Sequence, residues 1–320
     1  MRVGLVGTGM VAATHMAALR RAGLAPAWVL GRGRAEAFAA EHGTRAVRAV
    51  EPCDFVLLLT PPDARRPFVE ACAARGLPVL SEKPLERSHV AAAALVARMG
   101  ALPFGVVLQH RTRDAVARLR ARLPGLGPVR SVDLRVPWWR PQSYYDAPGR
   151  GTHARDGGGV LVTQAIHALD VMLHLCGPVA SVQATLATAA HAMEAEDFAA
   201  AGLRFASGAV GAVMASTTHF PGGPETLTIN CDGGSATLEG ERLVIATPEG
   251  TETHEGDTAT GGGADPMAFS PEGHARVIAG FARALREGTP PPIPAAAALP
   301  VHALIDAMAR ASAEGRRVDL

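Results

Sequence analysis

The feature that most constrains this chain is the order of events at its start. Arg2-Val3-Gly4-Leu5-Val6-Gly7 reads as a buried strand, Gly7-Thr8-Gly9-Met10-Val11-Ala12 follows it, and an alanine-rich helix then runs to about Gly23. Strand, glycine turn and helix in that order open a doubly wound α/β sheet. Free backbone N–H groups and the positive end of the helix then face a pyrophosphate. Gly7 permits the tight turn, Gly9 lets phosphate approach the main chain, and Ala12 stands where the third glycine tolerates alanine. Thr8, Met10 and Val11 complete the expected cradle. A glycine pair alone also fits a plain turn, but its setting between a buried strand and a helix favours dinucleotide binding.

The alternation continues. A strand from Ala27 to Leu30 leads through Gly31-Arg32-Gly33-Arg34 into a helix that stops at Gly43. The apolar run Phe55 to Leu59 ends in Thr60-Pro61-Pro62, a helix closes at Gly76, and Pro78 to Leu80 is a short strand broken by Glu82-Lys83-Pro84. A helix to Gly100 and a strand around Phe104 to Leu108 complete a parallel set with right-handed crossovers. Beyond about residue 122 the texture changes to alternating strands: Val129 to Val136, Val179 to Thr188, Ala201 to Phe205, Ala209 to Thr217 and Thr226 to Asn230. Helices at Val160 to Leu175, Glu272 to Arg286 and Ala296 to Ala313 are available to cover one face. Gly250 to Asp265 reads as a surface loop. The expected fold class is α/β, with a Rossmann dinucleotide-binding domain over 1–122 and an α+β domain with a large, mostly antiparallel open sheet over 123–320.

Cofactor preference is read at the end of the second strand. An acidic residue there would hold the ribose hydroxyls of NAD. The chain instead offers Arg32 and Arg34, and Arg32 is expected to hold a 2'-phosphate, favouring NADP over NAD. The plainer alternative is that these arginines cover a solvated helix start.

Of the 31 basic residues, 30 are arginine and only Lys83 is lysine. A chain that uses arginine wherever a fixed charge suffices keeps lysine where guanidinium fails, for a compact ammonium of adjustable proton affinity. Lys83 also falls just past the carboxyl end of a parallel strand, where open α/β sheets place ligands.

Glu82-Lys83-Pro84, Thr60-Pro61-Pro62 and the turn at Gly7 together resemble the glucose-fructose oxidoreductase / inositol dehydrogenase / MocA family. Gln109-His110-Arg111 is similar to that family's stretch after the last Rossmann strand. Asp156-Gly157-Gly158-Gly159 with Gln164-Ala165-Ile166-His167-Ala168-Leu169-Asp170 is similar to its substrate-domain helix. The resemblance implies Lys83 and His167 as catalytic residues. It implies Glu82, Lys83, Gln109, Arg150, Thr60 and Pro61 beside the cofactor, and Arg111, Tyr145, Thr163 and Gln164 with Lys83 and His167 at the substrate. The chain departs from the family at Arg65, where relatives often carry histidine, and at Thr163, where they often carry a carboxylate. Trp138 to Asp146 and Arg150-Gly151-Thr152 resemble the UDP-sugar acid dehydrogenases of the family, with Gly149 in place of a tryptophan.

The chemistry follows from the residue types as well. Oxidising a secondary alcohol sends a hydride to nicotinamide and a proton to a base, and histidine titrates near neutrality. A lysine on the same oxygen stabilises alkoxide charge, and Asp170, three residues after His167, is placed to orient the imidazole. His174 lies about 10 Å further along that helix, too far to share a metal ion, and reads as structural. A satisfied core histidine is the plainer reading of His167. The substrate expected is a sugar, cyclitol or nucleotide sugar. Alternatives are a small carbonyl, imine or dihydrodiol reductase, or a regulator that senses NADP without turnover. The formal net charge of +1 and the absence of like-charge blocks point away from nucleic acid and membrane. Cys53, Cys72, Cys176 and Cys231 have no metal or redox spacing, so no metal is expected and a reducing cytoplasm fits. An open sheet face and the family resemblance together imply a homodimer or homotetramer.

Overall fold

The computed structural model describes residues 1–256 and 270–320, which form two compact units: Met1–Gln109 with Ser270–Leu299, and residues 110–256 with Pro300–Leu320. The first unit begins with strand β1 (Arg2–Val6), helix α1 (Ala12–Arg21), β2 (Ala25–Leu30), α2 (Ala35–His42), β3 (Phe55–Leu58), α3 (Arg66–Ala73), β4 (Val79–Ser81), α4 (His89–Met99) and β5 (Phe104–Val106). The five strands pair in parallel in the order β2-β1-β3-β4-β5. Buried on both faces, they carry near-continuous apolar runs: all of Phe55–Leu58 is buried, as are Val3, Leu5 and Val6. Gly4 makes room for Trp28, since a Cβ there would lie 2.1 Å from the indole.

The second unit continues with α5 (Asp114–Arg122), β6 (Val129–Pro137), α6 (Gln142–Tyr145), a π-helical turn (Leu161–Ala165) running into α7 (Ile166–Cys176), and strands β7 (Val179–Ala187), β8 (Phe198–Phe205), β9 (Val210–Ser216), β10 (Thr226–Cys231), β11 (Gly234–Glu239), β12 (Arg242–Thr247) and β13 (Gly250–His254). Helix α8 (Glu272–Glu287) belongs to the first unit, and α9 (Leu299–Glu314) and β14 (Val318–Asp319) end the chain. The nine strands follow the order β13-β12-β11-β10-β6-β9-β8-β7-β14, antiparallel except for β6 with β9. Along β6, Val132, Leu134 and Val136 are buried while Ser131, Asp133 and Arg135 are not, the period of two expected of a sheet covered on one face.

Two differences from the sequence reading have physical causes. From sequence, 123–320 forms one domain, but Ser270–Leu299 packs with the first unit. The apolar stripe of α8 lies on the Rossmann core, where Phe281 meets Phe55 at 5.3 Å between ring centroids and a Cβ at Gly105 would strike Phe281 at 2.8 Å. Residues 110–122 pack with the second unit. The expected loop from Gly250 starts as a strand, β13, which pairs with β12; its remainder from 257 lies outside the described residues. Strands β11 and β13 escape sequence reading because their short, largely polar segments are held by pairing rather than by intrinsic preference, whereas β12 carries the strand-forming run Leu243-Val244-Ile245 that the sequence reading passed over.

Candidate active site

In the first unit the β1–α1 turn is built for close approach. Gly7 has φ +111° and a Cβ there would lie 2.9 Å from the Leu59 carbonyl carbon, so only glycine serves. A Cβ at Gly9 would meet nothing within 4 Å, and Gly9 and Met10 are exposed at the start of α1. The helix has no side-chain cap there, so its first N–H groups are available to an anion. Thr8 lies under Gly31, 2.7 Å from where a Cβ of that glycine would be. Arg32 and Arg34 are both exposed just after β2, and no carboxylate stands in that turn. These residues fit a dinucleotide: an open turn for pyrophosphate and, at the ribose end, cations where an acid would select against a 2'-phosphate.

Two strands along, Glu82-Lys83-Pro84 follows β4 with a cis bond before Pro84. Lys83 is half-buried and Glu82 is buried. The Glu82 carboxylate accepts from His15 Nε2 at 2.7 Å and from the Lys83 backbone N–H at 3.0 Å, with His274 Nε2 at 3.7 Å. Burial alone would raise the Glu82 proton affinity, but the His15 hydrogen bond and the surrounding cationic groups hold it well below the usual carboxylate range. Burial, with His15 nearby, pushes His274 down to about 4. The ligand atoms of His15, Glu82 and His274 lie within 4.8 Å of one another, and His15 and Glu82 are joined directly by the 2.7 Å hydrogen bond. The departure at Arg65 finds its explanation here. The guanidinium is 2% exposed and donates to the carbonyls of Thr60 (3.0 Å), Glu82 and Lys83 (3.5 Å). Gln109, after β5, packs against Gly273 of α8.

In the second unit, Gly159 has no room for a Cβ, which would fall 1.7 Å from the Glu196 carbonyl oxygen. The buried Glu196 carboxylate accepts the N–H groups of Gly159 (2.9 Å) and Leu161 (3.1 Å), capping the turn from which α7 grows. Thr163 and Gln164 sit in the π-helical turn. The Thr163 hydroxyl donates to the Gly159 carbonyl at 2.7 Å and meets the Gln164 side chain. Such turns widen a helix and recur at functional sites. Buried His167 follows, stacked on His110 at 4.5 Å between centroids and 26° between planes. His110 is flanked by Glu225 (3.2 Å) and Arg113 (3.0 Å).

Several expected roles change. Asp170 was expected to orient His167, but both its oxygens are held by Arg111, at 2.7 and 2.5 Å. That fork also occupies Arg111, read from sequence as a substrate ligand. Burial pushes the Asp170 carboxyl up, against the pull of Arg111. Tyr145, likewise expected at the substrate, is 6% exposed with its hydroxyl 2.8 Å from the Thr217 hydroxyl, and burial pushes it up to about 12. Its neighbour Tyr144 is the half-exposed ring. Arg150 lies over it at 4.2 Å, Arg140 at 5.6 Å, and Gln164 Nε2 reaches its hydroxyl at 3.5 Å. His174 meets Arg120 at 3.3 Å, and burial with Arg111 and Arg120 lowers it to about 4. Sequence reasoning missed His15 and His274, whose signals are spatial; Arg65 stood out only as a departure, and Tyr144 only as one of the two tyrosines in the run from Trp138 to Asp146.

The match to known proteins agrees with this geometry. Residues 1–101 match the model of the oxidoreductase family with an NAD-binding Rossmann fold, and residues 120–237 that of the GFO/IDH/MocA C-terminal domain. The chain belongs to the GFO/IDH/MocA oxidoreductase family. Within this family it is similar to inositol 2-dehydrogenase 1 of Saccharopolyspora erythraea, 37% identical over 98 residues that make 27% of this chain and 29% of that protein. It is similar also to the D-apiose dehydrogenase of Paraburkholderia graminis, 27% identical over 69% of this chain and 61% of that one. The alignments thus span less than two thirds of either relative. A solved structure of the WlbA dehydrogenase from Bordetella pertussis, in complex with NADH and UDP-GlcNAcA, superposes with a TM-score of 0.85 at 27% identity, covering 100% of this chain and 98% of that one. Among the described residues of this family member, no helix is long and apolar enough to cross a membrane.

Proposed function

We propose that this protein is a nicotinamide-dependent dehydrogenase or reductase acting between an alcohol and a carbonyl carbon of a sugar, cyclitol or nucleotide sugar. The observation that carries the reading is the placement, within one unit, of the chain's sole lysine after β4 on the same edge of the parallel sheet as the open glycine turn after β1, which suits pyrophosphate. The WlbA structure with NADH and UDP-GlcNAcA supports the substrate class.

The nicotinamide, when bound, accepts or supplies the hydride. Lys83 donates a hydrogen bond to the reacting oxygen and stabilises its developing charge. His167 takes up or returns the proton. Thr163 and Gln164, one turn before His167, and the Arg150-backed face of Tyr144 bind substrate hydroxyls and an apolar ring face. Arg111 and Asp170 act as one ion pair that stiffens the histidine-bearing helix. NADP is the preferred cofactor, through Arg32. The four cysteines, all free thiols, suit a reducing cytoplasm.

The test is a turnover screen of purified protein with NAD and NADP against sugars, cyclitols, nucleotide sugars and small carbonyls. Turnover of a polyhydroxylated substrate supports the reading. Reduction of small carbonyls alone moves it to the reductase alternative, and tight NADPH binding with no turnover across the panel moves it to a sensor.

A further inference from the structure

We propose that Arg65 is a positioning residue for Lys83, setting the direction in which the ammonium is presented. The inference rests on the reading of Lys83 as a working group and adds what holds it there.

A buried guanidinium is costly unless its donors are used. Those of Arg65 go to three main-chain carbonyls rather than to a carboxylate fork: Thr60, at the turn after β3, and Glu82 and Lys83, at the turn after β4. These strands are neighbours in the sheet. One rigid planar group therefore ties two strand-end turns together, and two of its three acceptors are the carbonyls on either side of the Lys83 α-carbon. The opposite side of the same turn is fixed by the Glu82 carboxylate, which receives His15 and the Lys83 N–H. Backbone N–H and C=O of the lysine are thus both engaged, which fixes the direction in which its Cα–Cβ bond leaves the turn. A lysine at position 65 would keep the charge but not the fork, and a histidine would span fewer of these carbonyls. Burial pushes Arg65 down to about 10, so it remains a cation at neutral pH.

The test exploits the composition. Because Lys83 is the only lysine, reductive methylation with 13C-formaldehyde labels it and the α-amino group alone, and NMR then reads its signal and titration without a substrate. The wild-type protein is compared with Arg65→Gln and with Arg65→His, the second variant guarding against loss of fold. The expected result, in whichever variant retains wild-type circular dichroism, is a displaced Lys83 signal and a change of ~0.5 unit or more in its apparent pKa. With a substrate from the screen, kcat should fall ~10-fold or more while KM and dinucleotide Kd stay within ~3-fold. A folded variant with lower Tm but an unchanged Lys83 titration and kcat shows a merely structural arginine and overturns the proposal. Lys83→Met separates the two ideas: if it turns over normally, the role given to Lys83 fails, and the positioning proposal falls with it. If Lys83→Met is inactive while the Arg65 variants match wild type, only the positioning proposal fails. One stoichiometric metal ion bound by His15, Glu82 and His274 in the purified protein would overturn the account of that side of the turn.

Discussion

At the scale of single residues, charge alone does not explain what this chain keeps. If the ammonium of Lys83 is what the reaction needs, Lys83→Arg preserves the charge and still loses most turnover, because a larger planar group cannot occupy the same place. His167→Ala should cost two to four powers of ten in kcat, roughly the contribution of a general acid or base, with dinucleotide affinity unchanged. Wild-type rates in either variant would remove that residue from the mechanism. Arg32→Asp should weaken NADP much more than NAD, since it replaces attraction by repulsion at one phosphate; an unchanged ratio of the two affinities counts against the assignment. Lys83 stood out in sequence because composition isolated it, and Gly7 and Gly9 because they lie between a buried strand and a helix. Arg111 and Asp170 were not legible as a pair, being 59 positions apart, nor was the burial of Tyr145 beside the half-exposed Tyr144, since adjacent residues of one short helix differ only in what packs on them.

At the scale of elements, the parallel strands were readable to within a few residues because each is an apolar run closed by glycine or proline. The helix bearing His167 was readable as a helix but not as a π-helical turn joined to α7, whose first N–H groups are held by Glu196 from the connection between β7 and β8. The contact of α8 with the Glu82 turn was equally hidden, and it has a pH consequence. His274 is lowered to about 4 from its ordinary 6.5, chiefly by burial. A histidine held neutral binds its proton more weakly folded than unfolded. Its contribution to stability is therefore complete above about 6.5 and is lost as pH falls toward 4. Glu82, held low, acts with the same sign at more acid pH, whereas Asp170 and Glu196, pushed up by burial, act with the opposite sign. A comparison of variants isolates the histidine: Tm of His274→Gln should depend less steeply on pH between 6.5 and 4 than that of wild type. Parallel profiles would show that His274 does not titrate across folding.

At the scale of the whole molecule, the exposed face of the nine-stranded sheet is expected to be covered by a second copy, and sedimentation showing only monomer at micromolar protein would remove that expectation. The division of the chain gives a sharper test. The sequence break at residue 122 follows the change from alternating helices and strands to antiparallel pattern, but the first unit is completed by Ser270–Leu299. Helix α8 buries Val277, Ile278 and Phe281 against that unit, and the segment after it adds a backbone bond at the edge strand, where the Ile293 carbonyl accepts from the Val106 N–H at 3.1 Å. Full burial of three such side chains is worth about 1.5–3 kcal/mol each, comparable in sum with the ~5–15 kcal/mol that holds a domain folded. A chain ending at residue 122 leaves Phe55 and Gly105 without Phe281 and Glu82 without His274. It should therefore lack a cooperative thermal transition and bind NADH or NADPH poorly by fluorescence. Residues 1–109 joined to 270–299 through a short flexible linker should regain both. If the 1–122 fragment melts cooperatively and binds dinucleotide as well as the joined form, α8 is an accessory to the Rossmann unit rather than part of its core.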